Sequence, residues 1–225
     1  MTKIQTDISR QEIHIEGITF TAADARLASD GGPSRLQHLF SEDKSGFKSS
    51  LADFLAEWFN ETDTVKVHTS GSTGTPKELW VEKRRMMESA RLTVNFLDLQ
   101  PKDTALLCMP LQYIAGKMVV VRSLVAGLNL LPVAPCSRPL QYMETAPDFA
   151  AMVPLQVYTS IQNPRDKELL CQIRHLIIGG GAIDRTLGEE LRDFPHAVWS
   201  TYGMTETLSH IALRRLNGPE ATDWY

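Results

Sequence analysis

The 225-residue chain holds only three cysteines, Cys108, Cys136 and Cys171, widely spaced and without a Cys-x-x-Cys pair or a histidine-rich partner pattern. That scarcity argues against a disulfide framework or a zinc site and favours a reducing cytoplasm. Long apolar runs are also missing. The longest, near residues 118–125, is broken by Arg122 and Ser123, and the first ten residues are polar, so neither a membrane span nor a secretory leader is expected. No basic run with interleaved aromatics occurs, and 27 acidic against 23 basic residues leave a net charge of -4, which argues against a broad nucleic-acid face. Small molecules are the expected partners, and no oligomeric state is read from the sequence. Apolar residues, at 43%, are plentiful enough to bury a sizeable core in one or two domains.

Ile13, Ile15, Ile18 and Phe20 flank Gly17 as a short strand pair would, and residues 28–46, with Gly31-Gly32-Pro33, look looser. Leu51, Phe54, Leu55, Trp58 and Phe59 recur at helical spacing behind Ser49 or Ser50 as N-cap, an aromatic stripe expected in the core. From residue 82 onward helices and strands take turns: helices at 82–97, 114–126, 155–161 and 185–192, strands at 104–109, 128–133, 149–153, 173–178 and 197–201. Such alternation predicts an α/β fold, a mostly parallel sheet flanked by helices, with ligands beyond the carboxyl ends of the strands.

Three segments carry chemistry. Thr69-Ser70-Gly71-Ser72-Thr73-Gly74-Thr75-Pro76-Lys77 lies between strand-like runs at 65–68 and 78–81. Its glycines let backbone N–H groups approach an anion, its hydroxyls add donors, and its lysine adds charge, so it reads as a strand-to-strand phosphate clamp. It is not a Walker A loop, which needs Gly-Lys-Ser/Thr opening into a helix, and a flexible linker is the plain alternative. Ile177-Ile178-Gly179-Gly180-Gly181-Ala182 leaves a strand through three glycines, as a tight turn or as bare backbone for a flat ligand. Ser200-Thr201-Tyr202-Gly203-Met204-Thr205-Glu206-Thr207 offers a stacking ring, a hydroxyl and a hard oxygen ligand for Mg²⁺; the alternative is a helix cap with Glu206 solvated.

Together, in this order, the three segments resemble the adenylate-forming superfamily that contains the acyl-CoA and aryl-CoA synthetases. Pro110-Leu111-Gln112-Tyr113-Ile114-Ala115-Gly116 looks like that family's acyl-pocket motif, and the similarity spans residues 65–215, behind a shortened N-terminal region at 1–64. The stretch from Met109 to Lys117 and the Met-Thr-Glu-Thr-Leu-Ser-His run ending at His210 are similar to the o-succinylbenzoate:CoA ligase branch. The resemblance implies the large N-terminal domain of that fold, with ATP, Mg²⁺, coenzyme A and a small carboxylic acid as partners. Residues 69–75 and Lys77 would hold the phosphates, Thr205 the α-phosphate and Glu206 the metal, with Lys77, Thr205 and Glu206 as the catalytic set. Gly180, Gly181, Ala182, Tyr202 and Gly203 would hold adenine. Gln112, Tyr113, Gly116, Lys117, Met204 and His210 would line the acid site, with Lys117 or Arg122 as the cation for a second substrate carboxylate.

Two departures from the family pattern stand out. Gln112 and Tyr113 replace an aromatic and a histidine, and Glu78 replaces the glycine after the loop lysine. The family's ribose-binding aspartate, hinge and lysine-bearing lid domain are not recognisable before Tyr225, so weak nucleotide binding and poor adenylation are expected of this portion alone. Alternatives are another acyl-CoA synthetase, a carrier-loading adenylation domain, or a non-catalytic nucleotide-binding protein.

Overall fold

The computed structural model describes residues 4–27, 32–69 and 77–225. A hairpin of β1 (Glu12–Ile15) and β2 (Ile18–Thr21) turns at Glu16 and Gly17, both at positive φ (50° and 83°), and leads through α1 (Ala22–Ala25), α2 (Arg35–Leu39) and α3 (Phe47–Trp58). A separate antiparallel ribbon of β3 (Thr64–His68) and β4 (Glu78–Glu82) follows, then α4 (Lys83–Leu97), β5 (Thr104–Leu107), α5 (Ile114–Ala126) and β6 (Asn129–Pro132). The chain continues as β7 (Phe149–Met152), α6 (Pro154–Ile161), α7 (Pro164–Gln172), β8 (His175–Ile178), α8 (Arg185–Leu191), β9 (Ala197–Gly203) and β10 (His210–Arg215).

Among the described residues the main sheet has eight strands in the order β10-β9-β8-β7-β5-β6-β1-β2. Neighbours from β9 through to β1 pair in parallel, and only the edge strands β10 and β2 run antiparallel to their partners. Period-two alternation sorts the central strands between two cores. Ala105, Leu107, Phe149, Ala151 and Ile177 face one core shared with α3, α4 and α5, while Leu106, Ala150, Met152, Leu176 and Ile178 face the other, under α6, α7 and α8. The strands are apolar on both faces because helices cover both. Because β1 pairs with β6 inside this sheet, residues before 64 belong to the same body as the rest. No helix of the described residues is long and apolar enough to cross a membrane.

Several expectations are corrected in detail. Helix α3 starts at Phe47 behind Gly46 rather than at Ser49 or Ser50, because Asp43 Oδ2 accepts from the Lys48 amide at 2.7 Å and Ser45 Oγ from the Phe47 amide at 3.2 Å. The Ser50 hydroxyl instead donates back to the Gly46 carbonyl. Within the stretch read as loose, Ser34 and Gln37 form a reciprocal cap that starts α2. Helix α7 was not anticipated, although Asn163 as N-cap and Pro164 at the first turn announce it. The aromatic stripe of α3 is core as expected, with Phe54 and Trp58 buried.

The start of α5 lies directly on the backbone before it. A Cβ at Gly116 would stand 2.5 Å from the Pro110 carbonyl oxygen and 2.8 Å from that of Met109, neither of which can swing aside. Gly116→Ala should therefore displace the α5 N-terminus and destabilise the fold by about 1–3 kcal/mol, the usual range for overpacking. Urea denaturation checks this, with a stability equal to wild type as the contrary result.

Candidate nucleotide and acid site

Parallel pairing brings the candidate segments to one edge of the sheet. The loop at 108–113 leaves the carboxyl end of β5, the glycine run leaves β8, and the Tyr-Gly-Met-Thr-Glu segment leaves β9. Strand β5 is three positions from β9, about 14 Å at the usual inter-strand spacing. The β3–β4 ribbon joins this edge too, since the His68 amide donates to the Gln112 carbonyl at 3.1 Å and His68 bridges to Tyr113. Thr69 and Lys77 close the ribbon. The Thr69 amide donates to the Lys77 carbonyl and the Lys77 amide to the Thr69 hydroxyl, both at 3.0 Å. Ser70, Gly71, Ser72, Thr73, Gly74 and Thr75 lie outside the described residues. The Lys77 ammonium takes no side-chain hydrogen bond or ion pair among the described residues.

Glu78, the departure after the lysine, turns to the ribbon. Its carboxylate meets Lys66 Nζ at 3.0 Å and His68 Nε2 at 3.3 Å, and chiefly the Lys66 hydrogen bond holds it below the usual carboxylate range.

At the glycine run, Gly180 takes a positive φ of 75° and is exposed, as a turn glycine should be, while a Cβ at Gly179 would overlap the Thr201 hydroxyl. The β8–β9 register pairs Ile178 with Ser200, so the glycine run and Tyr202 follow neighbouring strands at the same edge. Gly181, Ala182, Tyr202 and Gly203 are exposed along the same rim. Strand β9 extends through Gly203 instead of ending at 201.

The segment after β9 is a tight turn between antiparallel strands, not the start of a helix. Thr207 Oγ1 accepts from the Met204 amide at 3.0 Å and donates to the Ser209 carbonyl at 2.8 Å, and Leu208 is held at φ 69°, strained for a bulky side chain. This turn presents Met204 and Glu206 to solvent and leaves Thr205 partly exposed. The Glu206 carboxylate has no hydrogen bond or ion pair among the described residues. A lone exposed carboxylate fits Mg²⁺, which keeps several waters and takes its other ligands from phosphate.

The acid-site residues separate into two groups. Gln112 is exposed and Tyr113 half-buried in the loop after β5, and Gly116 serves packing. Lys117 turns away from them. Its ammonium pairs with Glu57 Oε2 on α3 at 3.1 Å and lies 4.4 Å from the Phe54 ring centroid, so its charge is already met inside the protein. Lys117 and Arg122, five residues apart, point about 140° apart around α5, so they cannot share a face.

Arg122 takes the other side. It is 2% exposed, its Nη2 donates to Ser209 Oγ at 2.7 Å, and its Nε has no partner. No carboxylate pairs with it among the described residues, and burial alone lowers its pKa to about 10, which still leaves it charged at neutral pH. His210 completes the cluster, with Nε2 3.1 Å from the Thr93 hydroxyl on α4. Burial, and secondarily the Arg122 charge, push the imidazole down to about 3, so it is neutral. Thr93, Arg122, Ser209 and His210 thus meet where α4 and α5 pass under the turn that carries Glu206. No pattern in the sequence marks Thr93 or Ser209, because helix-interior threonines and turn serines are common.

The depressed imidazole makes a pH prediction. An unfolded His210 takes up its proton near pH 6.5 and the folded one does not until about 3, so stability is lost progressively as pH falls below 6.5. By pH 5 the loss from this group should be about 1–2 kcal/mol, after allowance for partial exposure. Urea denaturation at pH 7 and pH 5 should show a smaller drop in His210→Asn than in wild type; equal drops contradict a buried neutral ring.

Comparison with known proteins places the family and the fold. Residues 17–224 match the AMP-binding enzyme family. The 2-succinylbenzoate--CoA ligase of Salmonella typhimurium is 25% identical over 173 residues, covering 77% of this chain and 37% of that protein. The chain thus spans little more than a third of that relative's length. An acyl-CoA synthetase (AMP-forming)/AMP-acid ligase II-like protein of Dyadobacter fermentans superposes with a TM-score of 0.77 at 33% identity, over 85% of this chain and 55% of the other. The o-succinylbenzoate coenzyme A synthetase of Bacillus subtilis, in complex with ATP and magnesium ion, shares the fold, with a TM-score of 0.59 at 18% identity over 92% of this chain and 60% of its own. The chain belongs to the AMP-binding, adenylate-forming enzyme family, and its fold is that family's large N-terminal domain with a mostly parallel sheet between helices.

Proposed function

We propose that the chain is the nucleotide- and acid-binding part of an ATP-dependent acid:CoA ligase whose substrate carries a second carboxylate, o-succinylbenzoate fitting best. The observation that carries this reading is Arg122. A buried guanidinium without an anion is costly, and a substrate carboxylate would supply the missing partner. The neutral imidazole beside it keeps a single positive charge in the cluster, matched to a single carboxylate. The 2-succinylbenzoate relatives support the choice of acid.

In the reaction, the reacting carboxylate attacks the α-phosphorus of ATP, pyrophosphate leaves, and the thiol of coenzyme A then displaces AMP from the acyl adenylate. The difficulty is bringing an anion to a polyanion. Lys77, the Thr69 hydroxyl and the donors of residues 70–75 would hold the β- and γ-phosphates and draw off charge as the pyrophosphate departs. Thr205 would donate to the α-phosphate. Mg²⁺ bound by Glu206 would supply further neutralisation of the phosphate oxygens. The bare backbone at 180–182 and the Tyr202 ring would hold adenine. Because Glu206 and Ser209 sit on one turn, the acid's far carboxylate and the metal would be positioned together. A cytoplasmic setting belongs to the same proposal: Cys108, Cys136 and Cys171 are free, and burial pushes the Cys108 thiol up to about 12, so it stays unreactive.

Titration calorimetry in the presence of Mg·ATP tests the reading. Arg122→Met should weaken o-succinylbenzoate by about 30-fold or more, as loss of a buried charge pair does, while leaving benzoate within twofold. Equal affinity of wild type and variant for the dicarboxylate contradicts the assignment. Tighter binding of a long-chain fatty acid than of either aromatic acid would favour a fatty-acyl ligase instead.

A further inference from the structure

The ring of Tyr202, which the proposed function assigns to adenine, is already in contact with another aromatic side chain of the protein. After β10 the chain doubles back: the Leu216 amide donates to the Val198 carbonyl, Asn217 bonds the Val198 amide, and the Thr222 amide donates to the Arg215 carbonyl at 3.1 Å. This return lays Tyr225 over β9. Its hydroxyl lies 2.6 Å from Ser200 Oγ, its ring centroid is 5.8 Å from that of Tyr202, and the Arg214 guanidinium stands 5.3 Å from the Tyr225 ring centroid. Ser200 and Tyr202 are two apart on one strand and share a face, and Arg214 is registered directly opposite Ser200 on β10. Three independent contacts, a hydrogen bond, a ring pair and a cation over the ring, therefore hold Tyr225 on the face where Tyr202 lies. Both tyrosine rings remain about half exposed, at 55% and 52%, so the pair closes no core and packing alone does not require it.

Resting on the assignment of Tyr202 to adenine, we infer that Tyr225 is an internal competitor for the adenine base, a strap that must leave the Tyr202 ring before a nucleotide can stack there. An aromatic pair and a hydroxyl hydrogen bond are each weak, so displacement is within reach of a bound nucleotide. The strap therefore lowers affinity without abolishing it. Its effect is confined to ligands that carry a base, because Tyr225 touches neither Lys77 nor Glu206.

Titration of the 225-residue chain with Mg·ATP, adenosine and inorganic tripolyphosphate tests this. Tyr225→Ala should tighten Mg·ATP and adenosine by a common factor of about ten, and leave tripolyphosphate unchanged. Tyr225→Phe, which keeps the ring and loses the hydroxyl, should fall between. Unchanged or weaker binding of Mg·ATP and adenosine in Tyr225→Ala would overturn the competition, the weaker case making Tyr225 a wall of the adenine site. If neither wild type nor Tyr225→Ala bound any of the three ligands, the nucleotide site itself would be rejected and the strap with it.

Discussion

The parallel ladder from β5 through β7 and β8 to β9 is the constraint on which the rest depends. Parallel neighbours end on the same side, so the segments that follow them are delivered to one rim whatever their sequence separation. Residues 109, 153, 180 and 203 are far apart in the chain and adjacent in space for that reason. The ladder is itself held by apolar residues on both faces, and the two helical layers cannot be removed without exposing them. Gly180, Thr205, Glu206 and Ser209 lie in the segments that follow the strands, where exposed backbone and polar groups cost the fold little. The β3–β4 ribbon stands outside the ladder, and backbone contacts of His68 with Gln112 and Tyr113 tie it to the same rim.

Electrostatics gives the site its asymmetry. Lys117 and Arg122 belong to one helix, yet one is matched internally by Glu57 and the other donates to the Ser209 hydroxyl beside the neutral His210 ring. A buried guanidinium left in that state retains attraction for an anion that a paired lysine does not. Glu78 behaves like Lys117: its carboxylate is paired within the ribbon, with Lys66. The exposed Glu206 thus stands on a turn with Arg122 beneath it, buried and paired with no carboxylate among the described residues.

Much of this was legible in the sequence, and the gaps have physical causes. The alternation of helix and strand and the strand runs on either side of residues 69–77 follow from local patterning, and the structure agrees with them. The partner of a cation does not follow from patterning. Lys117 was a candidate for substrate because nothing in its neighbourhood in sequence carries Glu57, which comes from a helix 60 residues earlier. Helical geometry alone, at 100° per residue, already forbade Lys117 and Arg122 from acting on one ligand. Helix α7 was overlooked despite its Asn-Pro start because its surface is largely charged and its apolar residues are few. Strand β10, with five of its six residues only partly buried beside an exposed Ile211, lacks the clean alternation that marks a half-buried strand.

The central claim is that the loop closed by Thr69 and Lys77 and the turn that carries Glu206 grip one magnesium triphosphate across the sheet's rim. A crystal structure of the chain with a non-hydrolysable Mg·ATP analogue tests it most directly. The account predicts the terminal phosphates on the 69–77 loop and the metal on Glu206, with the base beside Gly180 and Tyr202. A nucleotide bound away from that rim, or a metal held without Glu206 while Lys77 points elsewhere, would contradict it.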